Sequence, residues 1–393
     1  MGDLETNGKK TEWTWGTQTF VVENAAISDG EDTCAMLLDA PVVPLLPKTL
    51  QIPPPGPNPP TFFVADAGIK GAGMFAARDI PAGALILVDR PIAVVPSNVD
   101  SPWKREAFDA LLPRISDIER DRLLALANCK PLSEFPLVEG IALTNAFQIS
   151  LPVPPTATPQ EYGGVFPDIS RANHSCGLNI AVKWDPASFS ASLYALRPIR
   201  TGEEIFNQYI DVLAPRADRR AQLARYGFTC MCAHCDLPDA AAVARSDAAR
   251  TELRDWRHLH PRFLPWSLDA CRADDTIIVS NRRALALIEQ EGLYGMQVPF
   301  MEEIALSYAV MGDEARFLRV GAEGGRVVCG AGPAARGRVC AVDCGSEELQ
   351  AVGLAGEAEV DIRPAEGPCR LRYLDSVVAY RFKPLFSSSI KLC

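Results

Sequence analysis

A short run of three cysteines constrains this chain more than any other stretch of its sequence. Cys230, Cys232 and Cys235 lie in "CMCAHC", a spacing that suits three thiolates around one metal ion. A structural zinc ion takes four tetrahedral ligands, so a fourth must come from elsewhere in the chain. Cys176, in "RANHSCGLN", is the best candidate; His234 is its rival, although its place between two ligands would turn it outward. Three buried free thiols are the alternative to a metal site.

The N-terminal residues bear on the compartment in which these cysteines lie. They read "MGDLETNGKK" and lack the apolar core of a secretory signal, so we expect the nucleus or the cytoplasm, where thiols stay reduced. A tight cysteine group there indicates metal binding rather than disulfides. The same residues fit the loose acylation pattern, but without a basic cluster a free disordered end is the better interpretation. No run of about 18 apolar residues occurs, so we expect no membrane span.

Charge and length limit the partners and the number of domains. The chain has 393 residues and a formal net charge of −10. An acidic surface repels a phosphate backbone, so we expect no direct nucleic-acid binding and, instead, a protein partner with a basic, lysine-containing segment. The length exceeds what one hydrophobic core usually covers, which predicts more than one domain.

Changes in composition divide the N-terminal half of the chain. Residues 1–60 lack periodicity and end in "PPPGPNPP", which predicts a disordered, proline-rich segment. Residues 61–211 contain short apolar runs between glycines and prolines, which predicts a β-rich domain. Within it, apolar residues recur at helical spacing, which predicts a helical insertion over residues 96–139.

The C-terminal half divides in the same way. Residues 212–239 hold the cysteine run and a predicted helix from Pro215 to Arg225. Residues 240–320 have a helical pattern, and one helical hairpin within them is similar to a single tetratricopeptide unit. Residues 321–393 have no sustained period, which predicts a disordered segment.

Three further motifs are weak when each is taken alone. Gly71 and Gly73 in "KGAG" let a backbone approach a ligand closely, although turn glycines of a β domain would look the same. "TGEEI" carries an acid pair at 203–204, which in a turn is interpreted as solvated. His174 and Cys176 are two of the residues of a cysteine-hydrolase site, but no third, orienting residue is evident. That cysteine suits the metal better.

The order of these motifs resembles that of the SET-domain protein methyltransferases. "KGAG", "RANHSC", "GEEI" with Tyr209 five residues after Glu204, and "YGFTCMCAHC" follow the family's order over roughly residues 62–239. The cysteine-rich end is similar to the post-SET segment of the SMYD-like branch. The resemblance implies an α+β architecture, a β-rich SET fold of small sheets with a pseudoknot. It also implies S-adenosylmethionine as cofactor and a lysine side chain of a protein, histone or non-histone, as substrate.

The same resemblance implies a role for particular residues of this chain. The methionine end of the cofactor would lie against the backbone of Lys70, Gly71 and Gly73, and its adenosine against Asn173, His174 and Phe228. Tyr209 would be the active-site tyrosine and also contact the cofactor, with Phe147 and Tyr226 lining the lysine channel. One structural zinc ion would bind Cys176, Cys230, Cys232 and Cys235. An aromatic channel disfavours the ammonium form, which suits a reaction that needs a neutral amine.

Two departures from the family pattern qualify the resemblance. Leu178 stands where the pattern has a proline, and residues 96–139 contain only Cys129, so we expect the MYND zinc finger of SMYD proteins to be absent. The alternative function is a catalytically idle SET scaffold that binds partners through its helical region. Retention of Tyr209, Phe228, Asn173 and the four cysteines favours an enzyme.

Overall fold

A computed structural model describes residues 12–15, 18–25, 34–97, 99, 102–151, 162–269 and 271–329. Over these residues the strands are β1 (Glu12–Trp15), β2 (Gln18–Asn24), β3 (Ala35–Asp39), β4 (Phe62–Asp66), β5 (Ala72–Ala76), β6 (Leu85–Asp89), β7 (Ala93–Pro96), β8 (Phe147–Ile149), β9 (Tyr162–Val165), β10 (Asn173–His174), β11 (Ile180–Asp185), β12 (Ser190–Ala195) and β13 (Glu204–Asn207).

The helices of the same residues are α1 (Lys104–Asp109), α2 (Asp117–Leu124), α3 (Leu137–Asn145), α4 (Arg216–Ala224), α5 (Ala240–Arg254), α6 (Trp256–Leu259), α7 (Phe263–Leu268), α8 (Thr276–Glu291), α9 (Gln297–Val310) and α10 (Glu314–Cys329). Strands fill the first half of the described chain and helices most of the second. The architecture is therefore α+β, as the sequence predicted. None of the helices described is both long and apolar enough to cross a membrane.

The described strands form three sheets. Their orders are β1-β2-β3-β7-β9-β8, β10-β13-β5-β4 and β11-β12-β6. β3 is buried along its whole length, and its alternate residues enter two different cores. Met36 and Leu38 join the core shared with β5, β6 and β12, whereas Ala35 and Leu37 join the core beneath the helical insertion. The period-2 alternation of a strand thus lets one sheet separate two hydrophobic cores.

The N-terminal segment differs from its prediction. Residues 1–60 were expected to be disordered, but β1, β2 and β3 lie within them, and β3 pairs in parallel with β7. Trp13 and Phe20 are buried against Trp103, with ring centroids 6.2 Å and 5.6 Å from it. The pairing joins residues far apart in sequence, so no local hydrophobic period predicts it. Residues 1–11, 16–17 and 26–33 lie outside the described residues.

The helical insertion is observed where the spacing predicted it. α1, α2 and the start of α3 fall within residues 96–139, and Phe108, Leu111 and Leu123 pack into the core on that face of the six-stranded sheet. Two apolar residues that recur at helical spacing in this insertion, Ile118 and Leu124, are instead exposed. The helical pattern predicted over residues 240–320 corresponds to α5 to α9 and the start of α10. Residues 321–329, the start of the tail predicted to be disordered, form instead the end of α10, and residues 330–393 lie outside the described residues.

Candidate active site and cysteine cluster

The structure brings the four predicted cysteines together. Cys176 follows β10, and Cys230, Cys232 and Cys235 lie in the loop after α4, yet their sulfur atoms are all within 4.8 Å of one another. The Cys176 and Cys235 sulfurs are 3.5 Å apart. Zinc–sulfur bonds of about 2.3 Å in a tetrahedron place sulfurs about 3.8 Å apart, so the donor type, number and spacing all fit a zinc ion.

The rival ligand, His234, lies outside this cluster. Its ring packs against two glycines. A Cβ added at Gly177 would lie 2.3 Å from the His234 Nε2, and one added at Gly292 would lie 2.7 Å from the same atom. Gly292 also has a φ of 65°, the left-handed conformation that ends α8. The histidine therefore packs the cysteine loop against the end of α8.

The four cysteine sulfurs strongly perturb one another's pKa values. Hydrogen bonding with Cys230 and the other two sulfurs raises the pKa of Cys176 well above its ordinary value. Hydrogen bonding with Cys176 lowers the pKa of Cys232 and brings that of Cys235 to about 6. Four like-charged thiolates at this separation repel one another, so some sulfurs must hold protons unless a cation sits among them.

Arg219, which the sequence analysis did not single out, neighbours the cluster. Its side chain on α4 is fully buried and donates to the Ala214 carbonyl (2.7 Å), the His234 carbonyl (3.0 Å) and the Cys235 sulfur (3.8 Å). Burial alone would lower its pKa, but the Cys176 and Cys235 sulfurs outweigh that effect and raise it. The guanidinium thus offsets part of the negative charge of a four-thiolate site.

The glycine motif forms a tight turn into β5. Gly71 has a φ of 73° and a ψ of −141°, a conformation open to glycine almost alone. A Cβ on Gly73 would lie 2.8 Å from the Ala67 Cβ and 3.0 Å from both the Asn173 amide nitrogen and a Glu204 carboxylate oxygen. Glycine is therefore required at 71 by the backbone and at 73 by the side chains that approach it.

Glu204 differs from its interpretation as a solvated acid. It lies on β13, its side chain is 12% exposed, and its carboxylate pairs with the Lys70 ammonium and accepts a 3.0 Å hydrogen bond from Asn173. Its neighbour Glu203 faces another partner, Arg197, at 2.6 Å. Glu203 precedes β13 and Glu204 is its first residue, so the two carboxylates reach different partners, which "TGEEI" taken as a turn did not reveal.

Asn173 and His174 form the short strand β10, which pairs in parallel with β13. The Asn173 amide also donates to the Ala72 carbonyl at 3.3 Å. His174 is buried; its Nδ1 accepts from the Tyr209 backbone N–H at 3.1 Å, and its Nε2 lies 3.4 Å from the Cys176 sulfur. Because a backbone N–H can only donate, a neutral ring carries its proton on Nε2, where it can donate to the sulfur.

Two predicted aromatic residues, Tyr209 and Phe228, lie beside His174, and a third, Tyr226, packs on Tyr209. Tyr209 and Tyr226 are buried with ring centroids 5.1 Å apart, and Phe228 lies 6.3 Å from the imidazole. The Tyr209 hydroxyl donates to the Ala172 carbonyl at 3.1 Å, and the Tyr226 hydroxyl donates to the Tyr209 carbonyl at 3.3 Å. Tyr209 and Tyr226 share one hydrophobic cluster with the cysteines.

Phe147 belongs to a different cluster from the two tyrosines. It lies on β8 and is fully buried in the main core. Its ring centroid is 6.0 Å from that of Phe166. Its assignment to the wall of a lysine channel remains a prediction.

A second buried arginine joins the helical region to the site. Arg250 on α5 is fully buried, and it donates to the Cys176 carbonyl (3.2 Å), the Val212 carbonyl (2.5 Å) and the Glu291 carboxylate (2.9 Å). Glu291 is the last residue of α8. The guanidinium therefore holds the helical region against the segment that carries the first cysteine.

Asp89 supports the other side of that segment. Its buried carboxylate accepts the backbone N–H groups of Asp168 (2.9 Å) and Ile169 (3.0 Å), at the start of the turn that leads into β10. Burial, with a contribution from the Asp168 charge, raises the pKa of Asp89 to about 7 despite the two hydrogen bonds. Arg122 forms an ion pair with Asp168 at 3.1 Å and is the nearby cation.

Replacing Asp89 with asparagine is expected to stabilise the protein above neutral pH. The folded-state pKa lies above the ordinary value, so the folded state keeps a proton that the unfolded chain has released. The resulting stability is complete below about pH 4 and is lost as the pH rises through about 7. An asparagine oxygen keeps the acceptor without the buried charge.

Urea unfolding at about pH 5 and about pH 8 measures this effect. From about pH 5 to about pH 8, the free energy of unfolding of Asp89→Asn minus that of wild type should rise by roughly 1–3 kcal/mol. Asp109→Asn, at an exposed carboxylate on α1, is the control and should show no such change. A lower stability of Asp89→Asn than of wild type at the higher pH would contradict the prediction.

Comparison with known proteins identifies the class of domain to which this site belongs. Residues 71–210 match the family model described as the SET domain. This span contains β5 to β13 and, with them, Gly73, Asn173, Cys176, Glu204 and Tyr209.

Individual relatives carry related names. The chain is 30% identical over 185 residues to the histone-lysine N-methyltransferase set5 of Schizosaccharomyces pombe, covering 47% of this chain and 53% of that protein. A putative SET domain-containing protein of Acanthamoeba polyphaga mimivirus is 28% identical over 199 residues, covering 42% and 74%. The N-lysine methyltransferase SMYD2 of Homo sapiens is 38% identical over 91 residues, covering 23% and 19%. The chain thus spans about half the length of the first relative and about a fifth of the third.

Proposed function

We propose that this chain is an S-adenosylmethionine-dependent protein-lysine N-methyltransferase with one structural zinc ion. The observation that carries the proposal is the convergence of the glycine turn, Asn173, Tyr209, Tyr226 and Phe228 beside the four-cysteine cluster, within and just after the span that matches a SET domain. The names of the relatives support the same activity. The cysteine segment acts as a post-SET segment of a SMYD-like protein without a MYND finger.

The residues divide the work of such a reaction. S-adenosylmethionine, when bound, supplies a methyl group activated by a sulfonium. The backbone of the turn at Gly71 is open to its methionine end, and Asn173 and Phe228 hold its adenosine. The buried rings of Tyr209 and Tyr226 exclude water and disfavour the ammonium form of a lysine amine. The Tyr209 hydroxyl orients the neutral amine for transfer.

The net charge of the whole chain bears on which substrate it would act on. The net charge of −10 favours a basic, lysine-containing protein segment and disfavours nucleosomal DNA. A free histone or a non-histone protein therefore suits the site, in the nucleus or the cytoplasm. The domain boundaries are part of this proposal: residues 61–211 form the SET domain and residues 212–239 the post-SET segment, and both contribute residues to the cofactor site and to the zinc site.

Two measurements on the full chain test the proposed function. Calorimetric titration with S-adenosylhomocysteine is expected to show one site, and incubation with S-adenosylmethionine carrying a labelled methyl group is expected to label lysine residues in a protein extract. Binding without labelling of any protein would favour an idle SET scaffold. Absence of both would remove the proposal.

Replacing Asn173 with alanine is expected to weaken cofactor binding. The amide lies between the Ala72 carbonyl and the Glu204 carboxylate, so its loss removes a hydrogen-bonding group from a half-buried site. Such a loss corresponds to about 1–3 kcal/mol, or roughly 5- to 150-fold in the dissociation constant. Calorimetry with S-adenosylhomocysteine measures it. Asn24→Ala removes an amide hydrogen bond from β2 and is the control; equal affinity of the two variants would exclude Asn173 from the site.

A further inference from the structure

One carboxylate contacts two residues that are assigned to the cofactor, Lys70 and Asn173, and lies beside a third, Gly73. Glu204 pairs with the Lys70 ammonium through one oxygen and accepts the Asn173 amide through the other at 3.0 Å. That second oxygen is also 3.0 Å from the position of a Cβ on Gly73. Glu204 was not among the predicted site residues, yet it lies where the glycine turn, β10 and β13 meet.

The Lys70–Glu204 pair is suited to open for a charged ligand. The carboxylate is held on a strand with 12% of the side chain exposed, whereas the lysine side chain is 33% exposed and its ammonium lies 4.6 Å from the centre of the Phe206 ring. A lysine stem has four rotatable bonds, so its charge can move while the carboxylate stays fixed. The pair therefore presents an anion of fixed position beside a movable cation.

We infer that Glu204 binds the α-ammonium of the cofactor's methionine moiety, while Lys70 turns from Glu204 to the α-carboxylate. An amino acid end carries both charges on one carbon, and it is the complement of this ion pair. Exchange of one ion pair for two keeps every charge partnered, so the half-buried carboxylate is never left unpaired. This inference rests on the proposed function and adds to it the recognition of the amino acid end.

A purely structural role for Glu204 makes a different prediction. In that case the carboxylate only holds Asn173 and the turn in place, and its charge is irrelevant. Glutamine separates the two roles, because its carbonyl oxygen still accepts the Asn173 amide while the negative charge is lost. Glu203→Gln is the matched control, since Glu203 accepts from Arg197 and the Arg200 backbone instead.

The experiment compares two ligands on the full chain by calorimetry. S-adenosylhomocysteine carries the amino acid zwitterion, and 5′-methylthioadenosine has the same adenosyl thioether without it. We expect Glu204→Gln to weaken S-adenosylhomocysteine about 10- to 100-fold, the range of a charged hydrogen bond, and to change methylthioadenosine less than about twofold. Lys70→Met should show the same selectivity with a smaller loss. Glu203→Gln should bind both ligands as wild type does.

Each other result decides against the inference. Equal weakening of both ligands by Glu204→Gln would make Glu204 a support for Asn173, and equal binding of both would make it irrelevant. Either outcome overturns the inference alone, because wild-type binding would still support the proposed function. Failure of the wild-type protein to bind either ligand would overturn the proposed function as well.

Discussion

Replacing Cys176 with serine is expected to remove zinc and to weaken cofactor binding together. Cys176 supplies the one sulfur that comes from the β10 segment, whereas the other three come from the loop after Tyr226 and Phe228. A zinc ion held by all four sulfurs would therefore fasten the two halves of the proposed site to each other. The contact from His174 Nε2 to the Cys176 sulfur continues that link to Tyr209.

The metal should supply most of the free energy that orders the cysteine loop. Residues 229–236 include few apolar side chains, and Met231 among them is exposed, so burial alone offers little. Zinc binding by small cysteine sites is worth about 10–16 kcal/mol at neutral pH and appears as folding free energy. The main core lies elsewhere, in the sheets, and should persist without the metal.

Metal analysis and calorimetry together measure the effect. Wild type should contain about one zinc ion per chain. Cys176→Ser should bind zinc at least about tenfold more weakly, and its affinity for S-adenosylhomocysteine should fall by a similar factor. Far-ultraviolet circular dichroism should change little. Cys271→Ser, at an exposed cysteine, is the control and should behave as wild type. Full zinc in Cys176→Ser with loss in His234→Ala would make the histidine the fourth ligand and remove the link between the halves.

Local sequence patterns predicted the parts of the site that carry unusual residues. The cysteine spacing indicated a shared metal, and the order of four motifs indicated which segments would meet. Gly71 and Gly73 were weak signals alone, because a turn glycine and a glycine that makes room for Asn173 look the same in a sequence. Only the approach of three side chains to Gly73, those of Ala67, Asn173 and Glu204, distinguishes them.

The sequence could not predict which charged residues are buried beside the site. Arg219 lies in "RADRRAQLA", where three arginines of one helix look equivalent, and only packing shows which one lies against the cysteines. Arg250 and Glu204 were hidden for the same reason, since an ion pair between residues far apart leaves no local period. The β3–β7 pairing that ordered the N-terminal segment was likewise non-local.

Replacing Tyr209 with phenylalanine is expected to abolish methyl transfer while leaving cofactor binding nearly intact. The side chain is buried, its ring lies 5.4 Å from that of His174 and 5.1 Å from that of Tyr226, and phenylalanine preserves this packing. What is lost is the hydroxyl, which donates to the Ala172 carbonyl and would orient the lysine amine. Loss of one preorganised polar group from a catalytic site costs about 10²–10³ in rate.

Single-turnover transfer of a labelled methyl group, at saturating cofactor, measures this loss directly. The rate constant for Tyr209→Phe should fall at least about 100-fold, while the dissociation constant of S-adenosylhomocysteine stays within about threefold. Tyr162→Phe is the matched control, because it also removes a buried hydroxyl, one that donates to Asp39 at 2.7 Å, but from the core. It should lower the melting temperature and leave the rate constant of the folded protein unchanged.

The control decides how a loss of activity is interpreted. If both variants lost methyl transfer in proportion to their loss of stability, the Tyr209 hydroxyl would be a structural group that anchors the segment before β10 through Ala172. If Tyr209→Phe transferred methyl groups at the wild-type rate, catalysis would have to rest on other groups of the cluster. A rate loss confined to Tyr209→Phe, with cofactor affinity retained, assigns the hydroxyl to the amine and separates this site from that of an idle scaffold.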